Sequence, residues 1–195
     1  MQVSLVFPPS WMPSQPFLSL PSLQGFLKNK GVENVSIRDL NIETMDALLS
    51  AEKVRQTLAI IDERLNEGTE PIRSEENPEE VHSRLSWARE VIERENMVQN
   101  VEWAKSTLKS QGFYEIDDYV ECWKIIDRWL QAFGMLYYPS EISIADNSMR
   151  YSVYSSEDVL KAVNNNNENP YHDLFNEHII DSLIQEGADL VGISV

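Results

Sequence analysis

Apolar and polar positions follow three different rhythms along this chain. Residues 2–7 form a nearly unbroken apolar run that stops at Pro8-Pro9, the pattern of a strand buried on both faces. Over 18–30, Leu20, Leu23, Phe26 and Leu27 fall on one helical face, and Lys28 and Lys30 lead into Gly31, a helix stop. Residues 35–40 read as a second strand. Strand, helix and strand in this order form a βαβ unit, whose crossover makes the strands parallel neighbours. Near the other end, Asn169-Pro170 opens an amphipathic helix lined by Leu174, Phe175, Ile179, Leu183 and Ile184, which ends at Gly187. The run at 189–194 that follows reads as a buried strand of the same sheet. The predicted fold is α/β. It is a partial Rossmann-like parallel sheet, with strands at about 2–7, 35–40 and 189–194, interrupted by a large, mostly α-helical insertion.

The insertion, 43–167, has helical periodicity through most of its length. Met45, Leu48, Leu49, Leu58, Ile61 and Leu65 approximate one stripe, and residues 68–76 form a break. Asn77-Pro78-Glu79-Glu80 combines a cap, a proline at the first helical position and acids in the first turn. Val81, Leu85, Ala88 and Ile92 continue that helix. The phase then slips to Val98, Val101 and Leu108, which predicts a bend or break near Glu95 and a stop at Gly112. Tyr119, Trp123, Ile126, Leu130 and Phe133 give another helical face. Residues 142–145 and 149–153 flank Asp146-Asn147-Ser148 as a small hairpin, Ser156 with Glu157 and Asp158 caps a short helix, and 164–167 is a polar loop. The predicted domains are therefore 1–42 with 168–195, and 43–167.

Composition narrows the function classes. A length of 195 residues fits one domain with an insertion, and 42% apolar residues supply a real core. The formal charge of −16 argues against nucleic acid as a partner, because backbone phosphate is bound by clustered Lys and Arg. It equally disfavours anionic membrane surfaces. No run is long and apolar enough to span a bilayer, and the start lacks a basic secretory leader. Cys122 is the only cysteine, so no internal disulfide forms, and cytoplasm is the expected compartment.

Several segments resemble one family. Val3-Ser4-Leu5-Val6-Phe7-Pro8-Pro9, then Leu20-Pro21-Ser22-Leu23-Gln24-Gly25-Phe26-Leu27, then Asp39-Leu40-Asn41 are similar to the start of cobalamin-binding-type domains in radical S-adenosylmethionine proteins. Asn169-Pro170-Tyr171-His172-Asp173-Leu174-Phe175 and Asp189-Leu190-Val191-Gly192-Ile193-Ser194 resemble the same family's final helix and strand. The resemblance covers roughly 1–42 and 168–195; the middle carries no recognisable motif. It implies that cobalamin sits at the carboxyl edge of the sheet. It also implies that a following radical S-adenosylmethionine domain holds a 4Fe-4S cluster through CxxxCxxC and cleaves S-adenosylmethionine. One cysteine cannot hold such a cluster, so on this reading the chain is the amino-terminal part of a larger enzyme, inactive alone, with that domain as its partner. The substrate would be a peptide, a lipid precursor or another small metabolite. The D-x-H-x-x-G loop that supplies a lower axial histidine in some cobalamin proteins is missing, since Pro8 to Ser14 contains no histidine.

The resemblance assigns Trp11 and Met12, in the loop after the first strand, to a corrin face, and Ser194, at the end of the last strand, to the nucleotide tail. The competing reading packs Trp11 against the insertion and leaves Ser194 exposed. Asp39 reads as the cap of the following turn, because the G-x-G-x-x-G loop of a dinucleotide site is absent. His172 and His178 are six apart, which is not the three- or four-residue spacing of a helical metal site. Asp117-Asp118 and Glu79-Glu80 read as acids complementing helix dipoles. Cys122 reads as buried. Trp87, Trp103, Trp123 and Trp129 supply core or a partner surface. The rival function is a peptide- or protein-interaction module that never binds cobalamin, and the unpaired sheet edge predicts a homo-oligomer of this fragment.

Overall fold

A computed structural model describes residues 1–9, 18–67, 77–144 and 147–194, with backbone alone at 173, 174, 177 and 178. In chain order the elements are β1 (Val3–Phe7), α1 (Ser19–Asn29), β2 (Val35–Asp39), α2 (Leu40–Leu48), α3 (Ala51–Glu67), α4 (Pro78–Arg94), α5 (Met97–Leu108), α6 (Ile116–Gly134), β3 (Glu141–Ile142), β4 (Asn147–Ser148), α7 (Ser156–Asn164), α8 (Tyr171–Leu174), α9 (Ile180–Gln185) and β5 (Leu190–Ile193). The π-helical turn Phe175–Ile179 joins α8 to α9. The chain divides into two compact units, Met1–Met45 with Tyr171–Val195, and Asp46–Pro170.

The first unit is a parallel three-stranded sheet in the order β2-β1-β5. Val3 lies opposite both Val35 and Leu190, so the first and last strands run side by side in one direction. All five residues of β1 are buried. Its side chains alternate between two covers. Val3, Leu5 and Phe7 pack with Leu20 and Leu27 of α1, and Val6 packs with Leu40, Phe175, Ile179 and Leu183. Ser4 is buried on the second side, 3.4 Å from Glu186 Oε2. That carboxylate also meets Arg38 Nη1 at 3.3 Å, and Arg38 donates to Ser182 Oγ (2.7 Å) and pairs with Glu43. This network fastens β2 to α9.

Two expectations for this unit need correction. The run at 189–194 reads as buried, yet Leu190 is 50% and Ile193 69% exposed. β5 pairs only with β1 among the described residues, and a short β-branched run looks the same whether its strand is central or outermost. Leu23 and Phe26 also belong to the exposed side of α1, where only Leu20 is fully buried.

The second unit is a helical bundle. Val54 and Ile61 of α3, Leu85 and Ile92 of α4, Val101 of α5, and Ile126 and Leu130 of α6 are buried. Trp129 is fully buried and satisfies its indole by donating to the Leu48 carbonyl at 3.0 Å. Asn77 caps α4 through Glu79 N–H, with Pro78 beginning the helix. α4 and α5 separate at Asn96, which takes the left-handed conformation (φ 49°); this is the phase slip seen near Glu95. The stripe from Met45 to Leu65 is likewise two helices, because the Ser50 hydroxyl accepts from Lys53 N–H and starts a new one.

The hairpin is shorter and shifted. Glu141 pairs with Ser148 and Ile142 with Asn147, rather than with 149–153. Arg150 instead reaches Glu168, 2.9 Å away and completely buried, while Val153 and Tyr154 are exposed and have no face to cover. Ser155, not Ser156, caps α7, accepting from Asp158 N–H. α7 runs through Asn164, and 166–168 form a 3-10 turn where a loop was expected. The break at 68–76, and Ala145 and Asp146 of the hairpin turn, lie outside the described residues.

The Asp46 carboxylate sits below its ordinary range, chiefly because Lys109 Nζ donates to it at 2.6 Å, with Lys105 adding to the effect. A carboxylate depressed in the folded state contributes stability that is full above its unfolded value and is lost as pH falls through its folded value. Asp46→Asn should therefore lower stability at neutral pH and narrow the stability difference between neutral pH and pH below about 3.9. Urea unfolding of both proteins at the two pH values checks this; parallel losses would show that the pair contributes nothing.

Candidate functional site

The crossovers of the first unit make a topological switch point at one edge of its sheet. From β1 the chain crosses through α1 on the Val3–Phe7 side, and it returns to β5 through α8 and α9 on the opposite side. Neighbouring strands whose crossovers leave on opposite faces make a topological switch point, and open α/β sheets bind ligands beyond the strand carboxyl ends there. Here that edge lies between Phe7 and Ser194.

The backbone fixes what stands there. Ser194 N–H donates to the Val6 carbonyl at 2.9 Å, extending the parallel ladder one residue past β5. In register, Ser194 follows Leu190 and Gly192 onto the α1 side. A Cβ at Gly192 would come within 2.9 Å of Leu5 Cδ2, so a larger residue on that side would push the Leu5 side chain aside. The Ser194 hydroxyl then lies 2.8 Å from the hydroxyl of Ser19, the first residue of α1. One hydroxyl donates to the other, which leaves one proton and spare lone pairs for a ligand. The preceding residue, Leu18, makes no side-chain cap, and α1 has no acid in its first turn. Its first amide N–H groups lack intrahelical acceptors.

At the end of β2, Asp39 Oδ1 accepts from Asn41 N–H and Ile42 N–H, both at 3.1 Å. Asp39 therefore caps α2, as the absence of a glycine-rich loop predicts. Trp11 and Met12 lie outside the described residues. Of the three residues assigned to a cofactor from sequence, Ser194 is placed at the edge. Its partner Ser19 went unread, because nothing local in the sequence couples residues 175 positions apart.

The remaining candidates have other roles. His172 contacts Asn176 one turn along, its Nδ1 3.2 Å from the amide nitrogen, and the His178 side chain is outside the description. Among the described residues, no three His, Cys, Asp or Glu side chains are grouped to hold a metal. Glu79 and Glu80 lie in the first turn of α4, and Asp117 and Asp118 in that of α6. Cys122 is buried, and burial, then the Asp118 charge, pushes its thiol up, which keeps it protonated and unreactive. Arg38, tied mainly to Glu43, is held further up as a permanent cation. No described helix is long and apolar enough to cross a membrane.

No family model, no curated protein and no solved structure matches this chain.

The Ser19–Ser194 pair links an early helix to the last strand. A double-mutant cycle with Ser19→Ala and Ser194→Ala should return a coupling of about 0.5–1.5 kcal/mol in unfolding free energy. Additive single effects would mean that the hydroxyls do not meet.

Proposed function

We propose that the first unit is a cobalamin-binding-type α/β unit of a radical S-adenosylmethionine protein, positioning cofactor or substrate for a catalytic domain outside this sequence. The observation that supports this most is the Ser19–Ser194 hydroxyl pair at the switch point of a β2-β1-β5 parallel sheet. It coincides with the segments that resemble the family. Two hydroxyls and the start of α1, where Leu18 offers no side-chain cap, suit the polar nucleotide tail of a corrinoid, with Trp11 and Met12 assigned to the ring face. The first loop offers no histidine, so cobalt would take no imidazole from it. Bound cobalamin would supply cobalt-centred chemistry; Ser19 and Ser194 would orient the tail by hydrogen bonds. The 4Fe-4S cluster and S-adenosylmethionine belong to the catalytic domain, since the lone Cys122 is buried in the helical unit.

Titration of the protein with hydroxocobalamin should change the corrin absorption spectrum and leave cobalt bound after gel filtration. Ser194→Ala should weaken binding about fivefold, the loss of one neutral hydrogen bond. An unchanged spectrum with no retained cobalt would overturn the proposal.

A second reading is favoured by β5. Leu190, Val191 and Ile193 are exposed on a strand that, among the described residues, is paired along one side only, which is the form of an interaction module that recruits another strand. Two copies related by a two-fold axis would pair their β5 strands antiparallel. Sedimentation velocity should then show association that rises with concentration and is reduced by Ile193→Lys. A monomer at all concentrations excludes this reading.

A further inference from the structure

The helical unit carries an apolar surface that its own core does not use. Along α6, Ile126, Trp129, Leu130 and Phe133 face the bundle and are buried. Tyr119 and Trp123 continue that stripe toward the helix start but are only half-buried, and Ile116 and Val120, spaced i and i+4 along its flank, are exposed. The 3-10 turn Gln111–Tyr114 extends this apolar edge. The Phe113 ring stands edge-on to Tyr114 at 5.2 Å and to Tyr119 at 5.5 Å, and Tyr119 lies 6.0 Å from Trp123. The rings form a continuous ladder, yet Tyr114 is 78% and Ile116 71% exposed. Gly112 lets the turn close on α5, because a Cβ there would meet Thr107 Cγ2 at 2.7 Å. A contiguous exposed patch built on locked rings is the form of a docking surface, since rigid aromatics lose little entropy on binding.

The charge around the patch selects its partner. Glu115 and Asp117 flank Ile116 at the exposed start of α6. The α6 dipole accounts for Asp117 and Asp118, but it does not neutralise them. Among the described residues, Glu115, Asp117 and Asp118 have no ion-pair partner. The nearby lysines are engaged: Lys124 with Glu121 at 3.3 Å and Lys109 with Asp46 at 2.6 Å. Aromatic faces attract cations, and carboxylates beside them strengthen the preference. The same charges repel an anionic bilayer. We propose that this face docks a cationic amphipathic segment of a partner protein, with its apolar side chains on the ring ladder and its Lys or Arg against the unpaired carboxylates.

The test uses the intact chain and a synthetic helical peptide of Leu and Lys with Leu at steps of three and four, beside the same peptide carrying Glu for every Lys. The Lys peptide should bind saturably and more weakly at high salt, with amide shift changes confined to about 111–124. Ile116→Ala and the pair Glu115→Gln with Asp117→Asn should each weaken binding about tenfold, a loss of about 1.4 kcal/mol. These positions are exposed, so the fold should survive, and unchanged amide spectra away from the patch check that. The proposal fails if the Glu peptide binds equally, if the shifts spread over the whole acidic surface, if Ile116→Ala binds unchanged, or if no saturable binding occurs. Uptake by phosphatidylcholine vesicles without peptide binding would assign the face to lipid and equally overturn it.

Discussion

β1 is the constraint on which the first unit depends. Its five residues have no outlet to water, and each of its surroundings comes from a different part of the chain. β2 pairs along one edge and β5 along the other, α1 covers one face, and the segment around Ile179 covers the opposite face. Backbone groups of a buried strand must be paired, so losing either neighbour leaves a row of unsatisfied donors and acceptors. The single polar side chain in the strand, Ser4, is tolerated because Glu186 stands beside it, itself held by Arg38. The Ser19–Ser194 contact is a by-product of the same pairing, since Ser194 reaches α1 only when β5 is in register with β1.

Strongly local signals were legible in the sequence. Caps, prolines and glycines located the start of α4 and the end of α1, because each acts on backbone groups within a few residues, and a slip in hydrophobic phase marked the break before α5. The order of strand, helix, strand, helical insertion, helix and strand, and the parallel sense of the sheet, followed from connection lengths. The exposure of β5, the exposed apolar edge at the start of α6 and the Ser19 hydroxyl were not legible. Each is settled by what lies across a gap in sequence. Tyr119 and Trp123 share a stripe with Ile126, Leu130 and Phe133, but nothing in that spacing shows that the core stops short of them and leaves them half-buried. Glu168, in a run of asparagines, carried no sign that Arg150 would pair with it inside the fold.

The two units handle buried polarity differently. In the sheet unit the charged groups form a shared belt, with Arg38 serving Glu43, Ser182 and Glu186 at once. In the helical unit the buried polar groups are met locally: the Trp129 indole donates to the Leu48 carbonyl, and Glu168 lies against Arg150 with its backbone carbonyl taking the Ser140 hydroxyl at 2.6 Å. Breaking a buried ionic pair by removing one member is costly because the other stays desolvated. That makes Arg150 more consequential than its place on the surface implies.

The insertion lies between β2 and β5, and this ordering bears on assembly. On a ribosome, β1 and β2 are made early, and the strand that pairs with the other edge of β1 emerges only after the whole helical unit. Until then β1 has one open edge in a nascent chain. Closing a loop costs entropy that grows only with the logarithm of its length, so the long wait is a hazard of time more than of thermodynamics. A helical insert rich in local contacts collapses fast, and once compact it takes the place of a long wandering tether. Speed of folding in the middle of the polypeptide thus shelters the vulnerable strand at its beginning.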